Sequence, residues 1–419
     1  MPHASLPANG LPPSAELVRW LRRPALFGML VVIVHLVLVL PMLARQGFDT
    51  SVFIVAGDRY VTAGQTPTPI IVRPQSDGYD GQFYYRLALA PLCPRIQAYG
   101  VTLVHPAWRM QRILLPLAAY LLSGGQAQLV PAALFMANLA GLFAIGWLAM
   151  RIARAENFSL AVPLCIVAWP GLLIALTHDT TEILAAALLL AAVAAWLERR
   201  PAISACMVAL ASLTRETAIL VAAGILATQL WRLVRPAGAP RDWRGGGYAA
   251  ASLVPFLVWR HVVATLWQET PQAHGIAHNA GWPLQGWAQV ILASLLGQPV
   301  GFAPRPRDLT MRATVLAGIG TISWFCVVTA GAVWRALQNR ADAALAAGWL
   351  AVFALMTVLT ANGPFIDSTA YFRAFTECWV LGWILLGAGQ TRLPRSAWMW
   401  AVALPLIARN WELCWIQLK

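Results

Sequence analysis

Long apolar runs separated by short polar gaps set the pattern of this chain. After a Pro-rich opening that ends in Arg19, Arg22 and Arg23, an apolar run covers Ala25 to Leu43, long enough to cross a hydrocarbon core of about 30 Å as a helix. Further runs cover Leu129 to Met150, Phe158 to Thr177, Thr180 to Leu197, Ala202 to Leu213, Thr217 to Val234 and Tyr248 to Trp267, and later ones begin near Ala313, Ala343, Ala374 and Ser396. Two pieces, Ile113 to Leu122 and Trp287 to Leu296, are too short to span and are expected to be re-entrant or interfacial. The pattern predicts an all-α polytopic membrane protein with about 10–12 transmembrane helices. The expected organisation is a cytoplasmic N-terminal tail over residues 1–24, a transmembrane domain over 25–412 and a C-terminal tail over 413–419. Within the domain, residues 44–111 form a long first external loop.

Composition agrees with this class. Of 419 residues, 59% are hydrophobic and 11% charged, against about 25% charged in soluble domains. A formal charge of +13 would suggest nucleic acid in a soluble protein. Here it reads as topology, because Arg beside a span holds a loop in the cytoplasm. With the two short pieces not spanning, Arg151 and Arg154, Glu198-Arg199-Arg200, Arg232 to Arg244, Arg335 and Arg340, and Arg392 and Arg395 come out cytoplasmic. His178 to Glu182, Thr214-Arg215-Glu216 and Asp367 to Arg373 come out external with the first loop. The opening resembles a signal peptide, but its run is long and no A-x-A site follows, which predicts an uncleaved anchor with the N-terminus inside. Six scattered cysteines without C-x-x-C spacing predict buried thiols, with no disulfide framework and no metal site. The twenty tryptophans are expected at the interfaces and in packing. With no P-loop and no G-x-G-x-x-G in a βαβ unit, any donor must be held by the membrane part itself.

Charged groups in or beside spans cost about 2.5–3.5 kcal/mol each, so the sparse ones are candidates for function. The longest polar gap holds Ser76-Asp77-Gly78-Tyr79-Asp80-Gly81-Gln82-Phe83-Tyr84-Tyr85-Arg86. Asp-Gly steps favour sharp turns, and Asp80 is placed to cap a helix starting near Gln82. Two such steps running into three aromatics and an arginine are more than a turn needs. They predict a short interfacial helix beside two carboxylates, with Asp80 the nearer. Asp179 and Glu182 have capping-box spacing, and the alternative is that Asp179 faces a cavity. Arg215 interrupts a stretch long for one span and short for two, so a broken helix dipping to Arg215 is expected, as an anion ligand or as a local pair with Glu216. Arg109 and Arg112 share one side of a helix start, as snorkelling anchors or phosphate ligands. The same choice holds for Tyr371 and Arg373. His274 and His278 have H-x-x-x-H spacing but no nearby acids, which argues against a metal.

The runs Asp77 to Arg86, Arg112 to Leu117, Asp179-Thr180-Thr181-Glu182 and Leu213-Thr214-Arg215-Glu216 resemble the GT-C superfold of membrane glycosyltransferases. Within it they look like a bacterial subgroup described as cell-surface glycopolymer formation proteins. The resemblance covers residues 26 to about 390, and the first run is its specific part. It implies a GT-C-like bundle whose first loop carries interfacial helices, in the bacterial inner membrane. It also implies a polyprenyl-phosphate-linked sugar donor, a glycan or lipid acceptor, and a site facing the periplasm. Asp80 or Asp77 would act on the acceptor as base or by orienting its hydroxyl, and Asp179 would line the sugar or acceptor pocket. Arg215 would grip the lipid phosphate, with Arg86, Arg112 and Arg373 as further candidates. Glu182, Tyr84, Glu216 and Tyr371 complete the expected substrate contacts. No cofactor is expected, although Asp77, Asp80 and Asp179 could hold a divalent cation. The pattern departs from many relatives in carrying no large C-terminal periplasmic domain, which would leave acceptor recognition to loops. The alternatives are a transporter or flippase of lipid-linked glycans, and an inactive scaffold of a glycan assembly complex.

Overall fold

The computed structural model describes residues 20–234, 243–269, 271, 279–298, 309–338, 343–359, 365 and 368–388. Residues 1–19 of the N-terminal tail, the C-terminal tail, the run near Ser396, Arg340 and the His274/His278 pair lie outside these residues.

Among the described residues the chain is helical almost throughout, with two short two-stranded pairings in the first loop. Four helices are long and apolar enough to cross a membrane, within Pro24–Arg45, Ala127–Ala155, Arg244–Trp267 and Val315–Leu337, and seven shorter apolar helices pack among them. The Pro24–Arg45 helix starts on a proline, whose missing N–H costs nothing in the first turn. It packs on Val130–Ala155 through small residues. A Cβ on Gly146 would stand 3.0 Å from the Gly28 Cα and 2.8 Å from Val31 Cγ2, so two glycines let these backbones approach.

The two short pieces form compact helices, Leu114–Leu122 and Gln285–Leu296. Tryptophans take a larger part in the core than a belt would need. Trp169 and Trp379 stack at 4.3 Å between ring centroids, and both are fully buried. Their ring N–H groups donate to the carbonyls of Phe372 and Cys165 at 2.9 Å, which removes the cost of burying an indole donor. The expectation of buried thiols holds for Cys165, Cys326 and Cys378, whereas Cys93 is half-buried and Cys206 exposed. Cys414 lies outside the described residues.

The first loop folds into a plug of short elements against one end of the bundle. Ala56–Gly57 pairs in parallel with Val72–Arg73, and Gln97–Ala98 pairs antiparallel with Val101–Thr102 across Tyr99 and Gly100, both at positive φ. That is the conformation a tight two-residue hairpin requires. Asp58 clamps the run before the Asp-Gly steps, accepting from the amides of Gln75 at 2.8 Å and Ser76 at 3.1 Å. Gln82 accepts from the Gly57 amide at 3.1 Å and donates to the Asp77 carbonyl at 2.8 Å. The helix that follows, Asp80–Leu89, is enclosed on all sides. Gly81 to Ala88 are all buried, so its polar face meets protein where an interfacial helix would meet water.

Candidate active site

Asp80 sits in the first turn of the Asp80–Leu89 helix, with Tyr79 as the N-cap residue, so it does not cap by its side chain as expected. Its carboxylate faces inward. Arg109, from the short helix Pro106–Met110, donates to Asp80 Oδ1, and Arg373 Nη2 lies 3.4 Å from Oδ2. The close fit of Gly81 holds this helix in place. A Cβ there would stand 2.4 Å from the His178 carbonyl oxygen and 2.7 Å from that of Ile54.

From Asp80 the charges continue as a chain of alternating sign. Arg373 Nε is 3.8 Å from Glu182 Oε1, and Arg215 Nε is 4.0 Å from the same oxygen. Arg215 Nη1 donates to both oxygens of Glu377 at 2.9 and 2.8 Å, and to the Arg373 carbonyl at 3.2 Å. Glu377 also accepts from the Thr217 hydroxyl at 3.1 Å. Beside this chain, Arg112 makes a two-point contact with Glu216, with Nε to Oε2 at 2.7 Å, and reaches the Tyr84 hydroxyl at 3.4 Å. Four arginines and four carboxylates, from five separate parts of the chain, therefore meet at one end of the bundle. Aromatic rings pave the region, with Arg373 4.5 Å from the Tyr79 ring centroid and Arg109 4.5 Å from that of Phe83.

Local backbone explains how this is possible. The helix Pro201–Thr214 stops at Arg215, which is extended at φ −153°, ψ 124°, and a short 3-10 turn leads into Ile219–Val234. The helix therefore breaks where the sequence pattern placed the break. It sends Arg215 to Glu377 and Glu216 to Arg112, in place of a local pair.

Burial alone would raise the Asp80 carboxyl. The guanidiniums of Arg109, Arg373 and Arg112 more than offset that and hold it well below the usual carboxylate range. Asp179 shows the opposite balance. It is fully buried, it meets Asn138 Nδ2 at 3.3 Å, and burial pushes its carboxyl well above the ordinary value despite that hydrogen bond. Asp179 has a positive φ of 46°, and Thr181 is the N-cap residue of Glu182–Leu197 without a side-chain cap bond. The capping box that the spacing suggested does not form.

Several expected residues lie elsewhere. Asp77 is exposed and paired with Arg59 at 2.8 Å, with both side chains about two-thirds open at 66% and 65%, so it is outside the buried network. Arg86 is fully buried but faces the loop after its own helix, donating to the Arg95 carbonyl at 3.3 Å. Tyr371 is buried against Phe372, with ring centroids 4.8 Å apart. Arg109, which the pattern offers as an anchor or a phosphate ligand, pairs with Asp80. Glu377 was missed, although an acid in the apolar run after Ala374 was a legible sign. Among the described residues no three His, Cys, Asp or Glu side chains gather as a metal site.

No family model matches the chain, and no curated protein matches its sequence. Among solved structures the chain is similar to the crystal structure of ArnT from Cupriavidus metallidurans bound to undecaprenyl phosphate. The identity is 16% and the TM-score 0.49, covering 90% of this chain and 62% of that one. The chain thus spans less than two thirds of that protein's length.

Proposed function

We propose that the chain is an integral membrane glycosyltransferase. It moves a sugar from a polyprenyl-phosphate donor to a glycan or lipid acceptor of the bacterial cell envelope, at the external face of the inner membrane. The observation that carries this is the buried chain Asp80–Arg373–Glu182–Arg215–Glu377 at one end of an apolar bundle. A phosphosugar with a greasy tail needs guanidiniums and carboxylates at the edge of a lipid-facing body. The first-loop run that resembles the GT-C superfold supplies Asp80 to that chain.

Orientation follows from charge. Glu182–Leu197 has 16 residues, about 24 Å at 1.5 Å per residue. At its far end Arg151 donates to Glu198, which also lies 3.7 Å from Arg200. Arginines there, with Arg154 and Arg199 nearby in sequence, fit the cytoplasmic side, which leaves the network outside. A transporter would carry ionic side chains across the midplane, whereas Asp80, Glu182, Arg215, Arg373 and Glu377 cluster at one end.

Arg373 suits the donor phosphate better than Arg215. Arg373 Nη1 and Nε both make no hydrogen bond, whereas Arg215 has only its Nε without one and is committed through Nη1 to Glu377 and a carbonyl. As the sugar carbon leaves the phosphate oxygen and bonds to the acceptor oxygen, Arg373 and Arg109 would stabilise the departing phosphate. A carboxylate held this far below its usual range is a weak proton acceptor. Asp80 therefore orients the acceptor hydroxyl and positions both arginines, and the hydroxyl's proton passes to the departing phosphate as its bond to the sugar breaks. The test is transfer from a polyprenyl-phosphate sugar, read by mass spectrometry of the product. Asp80→Asn should fold and bind donor yet lose transfer, and wild-type transfer in that variant would overturn the assignment.

A further inference from the structure

The helix broken at Arg215 borders a cleft that takes no part in the charged network. Ser204 and Val208 from Pro201–Thr214 form one wall and Val221 and Ile225 from Ile219–Val234 another, while Leu189 and Leu197 mark its length on Glu182–Leu197. These two leucines stand about 12 Å apart along their helix, so the cleft runs from the middle of the bundle to the Glu198 end. Among its described lining residues only Ser204 has a hydroxyl, and the rest are apolar or aromatic. Helices of the apolar body enclose it, which limits its occupant to a component of the membrane, and left empty it would forfeit dispersion contacts. Its far end meets charge. Trp196 and Leu197 lead directly into Glu198-Arg199-Arg200, and the Ser204 amide donates to the Arg200 carbonyl at 3.1 Å. Arg199 is exposed, and Arg200, 3.7 Å from Glu198, has 62% of its side chain open. Arg151 also donates to Glu198, and Arg154 follows one turn on. These four arginines outnumber the local acids, Glu156 and Glu198, so positive charge remains after the ion pairs.

We propose that the cleft binds one anionic phospholipid of the inner leaflet, with an acyl chain between the two halves of the broken helix and the phosphate on Arg199 and Arg200. Basic clusters where helices meet the cytoplasmic surface suit anionic headgroups, and a guanidinium holds phosphate through its fork of donors. A zwitterionic lipid brings an ammonium that the same arginines repel. The network lies at the opposite end of Glu182–Leu197, about 24 Å away over its 16 residues, so this phosphate and the donor's occupy separate places. Binding needs only the apolar cleft and its basic rim, and the choice of leaflet follows from the orientation proposed above. A chain lying here braces Pro201–Thr214 against Ile219–Val234, the two helices whose junction presents Arg215 and Glu216.

The test uses the full chain in mixed micelles, which have no sides and require no transfer, so its result is independent of the function proposed above. Phosphatidylglycerol carrying a diazirine in one acyl chain is photolysed with the protein, and the adducts are mapped by mass spectrometry. Adducts should fall on residues 189–197 and 221–225, and phosphatidylcholine with the same chains should label them about tenfold less. Arg199→Gln combined with Arg200→Gln, both on exposed side chains, should bring phosphatidylglycerol down to the phosphatidylcholine level without lowering the melting midpoint. Equal labelling by the two lipids would overturn the proposal, as would unchanged labelling in the double variant. Displacement of the adducts by undecaprenyl phosphate would overturn it too, by giving the cleft to the donor's tail. Should the double variant not fold, the comparison of the two lipids on the wild-type chain decides alone.

Discussion

Replacing Arg215 by alanine tests the network where its energetics are sharpest. Glu377 is fully buried and its carboxylate meets Arg215 Nη1 and the Thr217 hydroxyl. Removing the guanidinium leaves a buried acid with one neutral donor, and breaking such a pair costs about 3–5 kcal/mol. In a chain of this length each kcal/mol moves the midpoint by about 1–2 °C, so Arg215→Ala should melt about 5 °C lower. Intrinsic fluorescence reports it directly, since Trp379 sits two residues from Glu377. The scan rate is held fixed because membrane proteins unfold irreversibly. Replacing both partners, Arg215→Met with Glu377→Leu, removes the orphaned charge and should recover most of the loss. If the single variant melts like wild type, or the double variant no better than the single, the buried pair does not exist as described.

Other expectations follow from the same geometry. Asp77→Asn should leave transfer and melting unchanged, since its pair with Arg59 is open to water, and loss of transfer would return Asp77 to the site. Asp179→Asn should melt no lower than wild type at neutral pH. A carboxyl whose folded pKa is raised loses stability as pH climbs above the unfolded value of about 3.9, so the variant's advantage should shrink towards pH 4. A variant less stable at pH 7 would show that Asp179 is ionised. For Asp80 the sign reverses. Its depressed folded value makes its contribution complete above about pH 3.9 and lost progressively below it, so Asp80→Asn should remove stability at neutral pH and change little in strong acid. Gly81→Ala should cost about 1–3 kcal/mol by overpacking, because the His178 and Ile54 carbonyls occupy the Cβ position. Wild-type melting in that variant would refute the close fit.

The helical class was legible because apolar runs of span length have few alternatives in any protein. The break at Arg215 was legible for the same reason, as a charge in an overlong run has few places to go. What the pattern could not show was which acid each arginine meets. Arg112 and Glu216 are 104 positions apart, and Arg215 and Glu377 are 162 apart, so their pairing is decided by helix packing. The enclosure of Asp80–Leu89 was hidden too. Its aromatics suit an interface equally well, and only the plug around it, with Asp58 and Gln82 fixing the backbone, turns them inward.

The single extended residue between the Pro201–Thr214 helix and its 3-10 continuation has a mechanical consequence. Neighbours in sequence become two tethers pulling in different directions, Glu216 towards Arg112 behind the first loop and Arg215 towards the Thr376–Ala388 helix. A shift of the first loop would therefore be felt one peptide unit away by the segment that carries Arg373, whose carbonyl Arg215 also holds. Parts of the bundle more than a hundred residues apart in sequence are thus coupled through a joint one residue long.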